Sequence, residues 1–262
     1  MKIFTETTPP KVLAFDLDGT IAKSKNPIEK DMVDVFCKLM QFVPMSIVSG
    51  ASKEQFENQF LAHFPKDFDF TDKLYIFPQN GAELIEYRDG KWLVKYQNKF
   101  EDKNKQEIIS SLNLIVSKFD LKENPEHGPL IEDRGEQVTL SALGQRAPLE
   151  LKAAWDPDQN IRKQMKPMLD ALLPDNEIRI GGTTSIDITK KGVNKAYAMR
   201  CLLEILNLES KDLLYFGDAL YPGGNDEIVK ANGFPCYFVH NPEETLKALR
   251  DILEVYEKTN RK

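Results

Sequence analysis

Two carboxylates, Asp16 and Asp18, stand one residue apart at the end of the apolar run VLAF, in the segment VLAFDLDGT. Four apolar or aromatic residues in a row read as a strand buried on both faces. Burying a charge there costs several kcal/mol unless it is paired or bound to a cation, so the two aspartates imply a positive partner. Two further polar clusters close apolar runs in the same way: Ser49 and Gly50 after FVPMSIV, and Asp218 after Gly217 in DLLYFGD. Lys195, in KGVNKAY, opens a helix. Parallel sheets present ligands at the carboxyl ends of their strands, so these groups are expected to converge on one crevice.

Aspartate, serine, lysine and a further aspartate in one crevice make a site for Mg2+ and phosphate. Asp16, last on its strand, can direct one oxygen at the metal and the other at phosphorus, as nucleophile of an aspartyl-phosphate mechanism. Asp18 lies in a loop that Gly19 lets turn sharply. Its backbone carbonyl can ligate the metal while its carboxylate acts as general acid and then base. Asp218 adds a hard oxygen ligand, with Asp226 of GDALYPGGND as a further ligand or a support for one. Ser49 and Lys195 would bind the phosphoryl oxygens and offset their developing charge. Taken singly each residue is ordinary: an isolated D-x-D is usually a turn, and Lys195 follows Lys190 and Lys191 closely enough to be surface charge. Their order, each at its own strand end, joins them.

The elements that must position these groups alternate strand and helix. After the opening strand come a helix carrying Met32, Val35, Phe36 and Leu39, with Pro27 at its first position, and then the strand FVPMSIV. A capping box from Ser52 to Gln55 starts the next helix, and the strand LYIF completes a βαβαβ unit. From Gly81 the pattern changes to a hairpin turning at Asp89-Gly90, an amphipathic helix, and antiparallel strands in IEDR, EQVTLSAL, EIRIG and TSIDIT, with a helix over Asn160 to Leu172 disturbed by Pro167. From Thr189 the α/β pattern returns. The expected architecture is a Rossmann-like α/β core with a parallel sheet, in two parts (1–82 and 189–262), around an inserted α+β cap at 83–188.

Composition narrows the partners. The formal net charge of −6 argues against nucleic acid, which needs a basic face. Three widely spaced cysteines fit neither a disulfide framework nor a zinc site, and three scattered histidines lack the spacing of histidine metal catalysis. The start MKIFTETTPP has no apolar signal region, and no run approaches the length of a membrane span, so the chain reads as cytoplasmic, with no membrane partner.

With DLDGT, VSG, the lysine of GVNK and GDALYPGGND in this order, the chain resembles the haloacid dehalogenase superfamily, and the cap between the second and third motifs resembles its type IIB cap. PQNG, IEDRG, GGTTSID, KGVNK and GDALYPGGNDEI are similar to the eukaryotic-type phosphomannomutases. The resemblance implies Mg2+ as cofactor, a small phosphorylated sugar or related metabolite as substrate, a homodimer through the cap, and substrate contacts from Gly19, Gly50 and Asn80 of the core. In that family three cap arginines hold the non-reacting phosphate or the sugar. Here Arg134 keeps the first, while Gln145 and Lys152 fall where the other two would stand. Ser185 and Asp187 match positions that touch phosphate and sugar hydroxyls. Gln145 carries no charge, and Lys152 offers a point charge without the bidentate fork, although Arg146 is close enough in sequence to compensate.

The sequence thus favours a Mg2+-dependent phosphatase acting on sugar phosphates. The alternative is a phosphohexomutase or phosphomannomutase, which needs a firm grip on a second phosphate. A non-catalytic sugar-phosphate-binding protein fits less well, because the set Asp16, Asp18, Lys195 and Asp218 is intact.

Overall fold

The computed structural model describes residues 9–259, so the opening MKIFTETT, part of the stretch read above as lacking a signal region, lies outside the described residues. Two compact units divide the chain. The first runs to Tyr96 and resumes over Lys195–Pro222 and from Asp226 onward; the second comprises Gln97–Asn194 and Gly223–Asn225.

The first unit is the α/β core. In chain order it holds β1 (Val12–Phe15), α1 (Lys30–Leu39), β2 (Met45–Val48), α2 (Lys53–Gln59), β3 (Leu74–Phe77), β4 (Glu83–Arg88) and β5 (Lys91–Gln97). In the second unit follow α3 (Asp102–Lys118), β6 (Ile131–Asp133), β7 (Val138–Ser141), α4 (Leu149–Trp155), α5 (Asn160–Leu172), β8 (Asn176–Gly181) and β9 (Ser185–Lys190). The chain then returns to the core with α6 (Lys195–Leu206), β10 (Leu213–Gly217), α7 (Glu227–Ala231), β11 (Cys236–Phe238) and α8 (Pro242–Thr259).

The core sheet has seven strands in the order β11-β10-β1-β2-β3-β4-β5, parallel from β11 through β3. All four residues of β1 are buried, as are all four of β2 and of β3. Alternation along β1 sends Leu13 and Phe15 to one face, among Phe36 of α1 and Leu249 of α8, and Val12 and Ala14 to the other, among Met199 and Leu202 of α6. Both faces are therefore covered, and the chain-reversing loops beyond β1, β2 and β10 are left to carry polar chemistry.

The hairpin β4–β5 corrects the expected boundary of the cap at residue 83. β4 pairs antiparallel with β3 through Tyr75–Glu86 and Ile76–Ile85 and so extends the core sheet. Burial of Leu84 and Ile85, and the contact of Trp92 with Phe70 at 5.2 Å between ring centroids, fix it there. The second unit begins at Gln97. Its sheet, β6-β7-β9-β8, is antiparallel, and α3 and α5 cover one face by packing Ile108, Leu112, Met165 and Leu169 against Val138, Leu140 and Ile186. Two helix expectations also change. α5 runs unbroken through Pro167, whose position is exposed, so the carbonyl that loses its amide partner faces water. α1 starts at Lys30 rather than at Pro27. No helix among the described residues is long and apolar enough to cross a membrane.

Candidate active site

β1 ends in the core and hands the chain to Asp16, whose amide still bonds the Phe216 carbonyl of β10 at 2.9 Å. That pairing fixes the side chain in a buried position, 3% exposed. Lys195, the first residue of α6 and 1% exposed, donates from Nζ to Asp16 Oδ1 at 2.6 Å and to Asp226 Oδ1 at 2.8 Å. Asp226 also accepts from the Tyr215 hydroxyl at 2.6 Å and from the Ala219 amide at 3.1 Å. Asp218, just past β10, accepts from Thr20 Oγ1 at 3.4 Å. Gly19 has φ +83°, and a Cβ there would stand 2.5 Å from Asp218 Oδ2, so this loop can approach β10 only without a side chain.

Asp16, Asp218 and Asp226 each bring a carboxylate oxygen within 4.8 Å of the others. Three carboxylates thus share one ammonium. Burial pushes the Asp16 carboxyl well above the usual range, with Lys195 opposing and Asp226 and Asp218 reinforcing. Burial, followed by repulsion from Asp226, raises Asp218 to about 6. Burial works against the charge on Lys195, but Asp16 and Asp226 outweigh it and raise its pKa. The cluster holds more negative charge than Lys195 balances, and its donors are hard oxygens with no thiolate or imidazole among them. That set fits Mg2+.

Asp18 points elsewhere. Its Oδ1 accepts from the Lys25 amide at 2.7 Å and from Gln59 Nε2 at 2.9 Å, and its Oδ2 from Gln55 Nε2 at 3.3 Å. Gln55 Nε2 also donates to Gln59 Oε1 at 2.9 Å. The expected capping box is therefore half formed: Ser52 Oγ accepts from the Gln55 amide, but the Gln55 side chain turns to Asp18. A cavity of about 400 Å³ lies alongside, lined by Lys25, Ser52, Gln55, Asn58 and Gln59 among others. The carboxylate of Asp18 is not among the three that form the acidic cluster.

Ser49, buried beyond β2, accepts at Oγ from the Ala51 amide at 3.2 Å, and Gly50 follows it. Asn80, buried and at φ +58°, donates its amide to the Ser49 carbonyl at 2.8 Å, which ties the loops after β2 and β3 together. Sequence reasoning gave no place at the site to Tyr215 or Gln59, and read Gln55 only as a capping residue. Tyr215 looks like any aromatic of a core strand, and the two glutamines look like helix surface; only their spacing of four on α2 hints at a shared partner.

The remaining expected residues belong to the second unit. Arg134 bonds Glu132 Oε2 through Nε at 2.9 Å and through a second nitrogen at 2.5 Å. Asp187 Oδ1 accepts from Thr139 Oγ1 at 2.9 Å, and Ser185 is two residues earlier on β9. Lys152, in α4, is buried and donates Nζ to the Gln145 carbonyl at 2.6 Å. Arg146 is exposed and donates from Nε to the Glu126 carbonyl and from a second nitrogen to the Pro125 carbonyl, at 3.4 Å each.

Comparison with known proteins matches residues 32–255 to the family model described as eukaryotic phosphomannomutase. The chain is 25% identical to a phosphomannomutase of Spinacia oleracea over 252 residues, covering 93% of this chain and 96% of the relative. It is 29% identical to phosphomannomutase 2 of Dictyostelium discoideum over 249 residues, covering 92% and 96%. A truncated Plasmodium falciparum IMP-nucleotidase shares the fold, with a TM-score of 0.72 at 17% identity, over 95% of this chain and 72% of that one. The chain is thus an enzyme of the haloacid dehalogenase superfamily and belongs to its eukaryotic phosphomannomutase family.

Proposed function

We propose that this protein is a Mg2+-dependent phosphohexomutase of the phosphomannomutase type. The observation that carries the reading is the buried cluster in which Lys195 bridges Asp16 and Asp226 beside Asp218. Relatives named phosphomannomutase, matched over nine-tenths of the chain, favour a mutase over the phosphatase that the cap sequence suggests.

In this mechanism one oxygen of Asp16 stays on Lys195 while the other attacks phosphorus, and the bond from phosphorus to the sugar oxygen breaks. Asp18 gives that oxygen a proton. In the reverse half, Asp18 takes the proton of a sugar hydroxyl, which attacks the aspartyl phosphate and frees Asp16. Ser49 and Lys195 neutralise the phosphoryl oxygens. Mg2+ on Asp16, Asp218 and the Asp18 carbonyl would keep Asp16 ionised and draw charge from the phosphoryl group. The Gln55 and Gln59 amides hold the Asp18 carboxylate in one orientation through both proton transfers. A homodimer through the cap belongs to the same proposal and is checked by light scattering.

The second reading is a phosphatase acting on sugar phosphates, favoured by one observation: Gln145 is neutral and the Lys152 ammonium is spent on its carbonyl. NMR of mannose 1-phosphate incubated with protein, Mg2+ and a trace of hexose 1,6-bisphosphate, which supplies the phosphoryl group to Asp16, decides between them. The mutase gives mannose 6-phosphate faster than free phosphate; the opposite ratio establishes the phosphatase.

A further inference from the structure

We infer that Tyr215 is a positioning residue for phosphoryl transfer, whose hydroxyl holds Asp226 so that the Lys195 ammonium keeps its place against Asp16. The inference rests on transfer of the phosphoryl group to Asp16, which the mutase and phosphatase readings share, and adds a residue to it. All four side chains belong to the first unit.

Lys195 is drawn two ways. Its Nζ lies 2.6 Å from Asp16 Oδ1 and 2.8 Å from Asp226 Oδ1, and both carboxylates are buried. Two buried carboxylates compete for one ammonium, and the other bonds that Asp226 makes decide how far the ammonium leans toward it. Tyr215 supplies one of those bonds, to the same oxygen that Lys195 uses: its hydroxyl donates to Asp226 Oδ1 at 2.6 Å, while the Ala219 amide donates to Oδ2 at 3.1 Å. A donor on each oxygen fixes the rotation of the carboxylate and meets part of its charge without Lys195. The third N–H of the ammonium is thereby left for a phosphoryl oxygen.

The fold brings this hydroxyl to Asp226 deliberately close. Register pairs Tyr215 of β10 with Ala14 of β1, and both lie on the face covered by Met199 and Leu202 of α6, the helix that Lys195 opens. Gly217, at the end of the same strand, keeps the space clear: a Cβ there would stand 2.5 Å from Asp226 Oδ2 and 3.0 Å from Tyr215 Cε1. Packing alone does not call for the hydroxyl, because phenylalanine would fill the place of the ring without a polar atom to satisfy. Burial, and after it the charges of Asp226 and Asp16, keep the phenol protonated, so it serves Asp226 as a donor.

Single-turnover release of nitrophenolate from a nitrophenyl phosphate tests this, with protein and Mg2+ in excess. In the step observed, an Asp16 oxygen forms its bond to phosphorus, and nitrophenolate departs with the electron pair of the broken P–O bond. It needs no proton, so Asp18 does not enter. At saturating protein the rate constant reports that step and not the amount of folded protein, so a loss of stability alone leaves it unchanged. Tyr215→Phe should lower the rate constant about tenfold or more, the loss of one hydrogen bond to a charged group. The effect should pass through Asp226: on an Asp226→Asn background, followed by manual quench, Tyr215→Phe should change the rate constant by less than about twofold, because residues that act as a unit are not additive. If thermal melts show that the phenylalanine variant does not fold, Tyr215→Met, which also lacks the donor, replaces it in both comparisons. A rate constant within about twofold of the unmodified protein, or an equal loss with and without Asp226→Asn, overturns the inference. Absence of nitrophenolate release from the unmodified protein would instead overturn the reading beneath it, whereas normal release there with an unchanged Tyr215→Phe variant removes the role of Tyr215 alone.

Discussion

Gln59→Ala is the most informative single change in the core, because it removes a donor from the acid–base residue without touching the acidic cluster. Gln59 is buried and places Nε2 2.9 Å from Asp18 Oδ1. A hydrogen bond to a charged group contributes about 1.5 to 3 kcal/mol, a factor of roughly ten to a hundred and fifty. Gln55, which donates to Asp18 and to Gln59 Oε1, loses its own anchor in the variant, so the upper part of that range applies. The loss should fall on kcat, because proton transfer fails when the carboxylate swings out of line. Stopped-flow release of an aryl leaving group separates the steps. A nitrophenolate needs no proton to depart, so its first-turnover burst should survive while steady-state turnover of sugar phosphates drops at least tenfold, by loss of the same hydrogen bond. A sugar-phosphate kcat within about twofold of the unmodified protein would refute the idea that the glutamines position Asp18, given what one such bond contributes.

Asp16→Asn should abolish turnover with the melting temperature little changed, since the amide is nearly isosteric but a poor nucleophile; appreciable residual rate would remove Asp16 from the reaction. Chelation should stop the reaction and Mg2+ restore it. Because Asp218 is raised to about 6 and must lose its proton to ligate, apparent Mg2+ affinity should fall as pH drops below about 6, by roughly tenfold per unit for one proton. In metal-free protein the sign for stability is the reverse. A carboxyl raised above 3.8 favours the folded state most below about pH 4 and loses that contribution as pH rises through about 6, so flat calorimetric melting over this window would contradict the assignment. Gln145→Arg should improve bisphosphate binding in a calorimetric titration, and no change there would show that this position lies away from the ligand.

Much of the core was legible because its signals are local. VLAF, SIV and LLYF are uninterrupted apolar runs, and a buried parallel strand has no other way to look. The polar groups that end them, Asp16, Ser49 and Asp218, are legible for the same reason. What could not be read depends on pairing across the chain. The turn at Asp89-Gly90 announces a hairpin, yet nothing local says that β4 will pair with β3 and join the core. Gln55 at the third helical position reads as a capping residue until Asp18, 37 positions earlier, captures its amide. In the cap, Lys152 looks like an exposed cation in sequence, and only the structure shows it buried with its ammonium on the Gln145 carbonyl.

Phosphopeptide mapping after rapid acid quench tests the central claim, that Asp16 in the cluster bridged by Lys195 carries the phosphoryl group. Protein mixed with Mg2+ and a hexose 1,6-bisphosphate, then digested, should yield the peptide containing Asp16 with one phosphoryl group, and hydroxylamine treatment should remove it, as expected of an acyl phosphate. Phosphate found on another residue, or turnover with no phosphorylated protein at any quench time, would contradict the account.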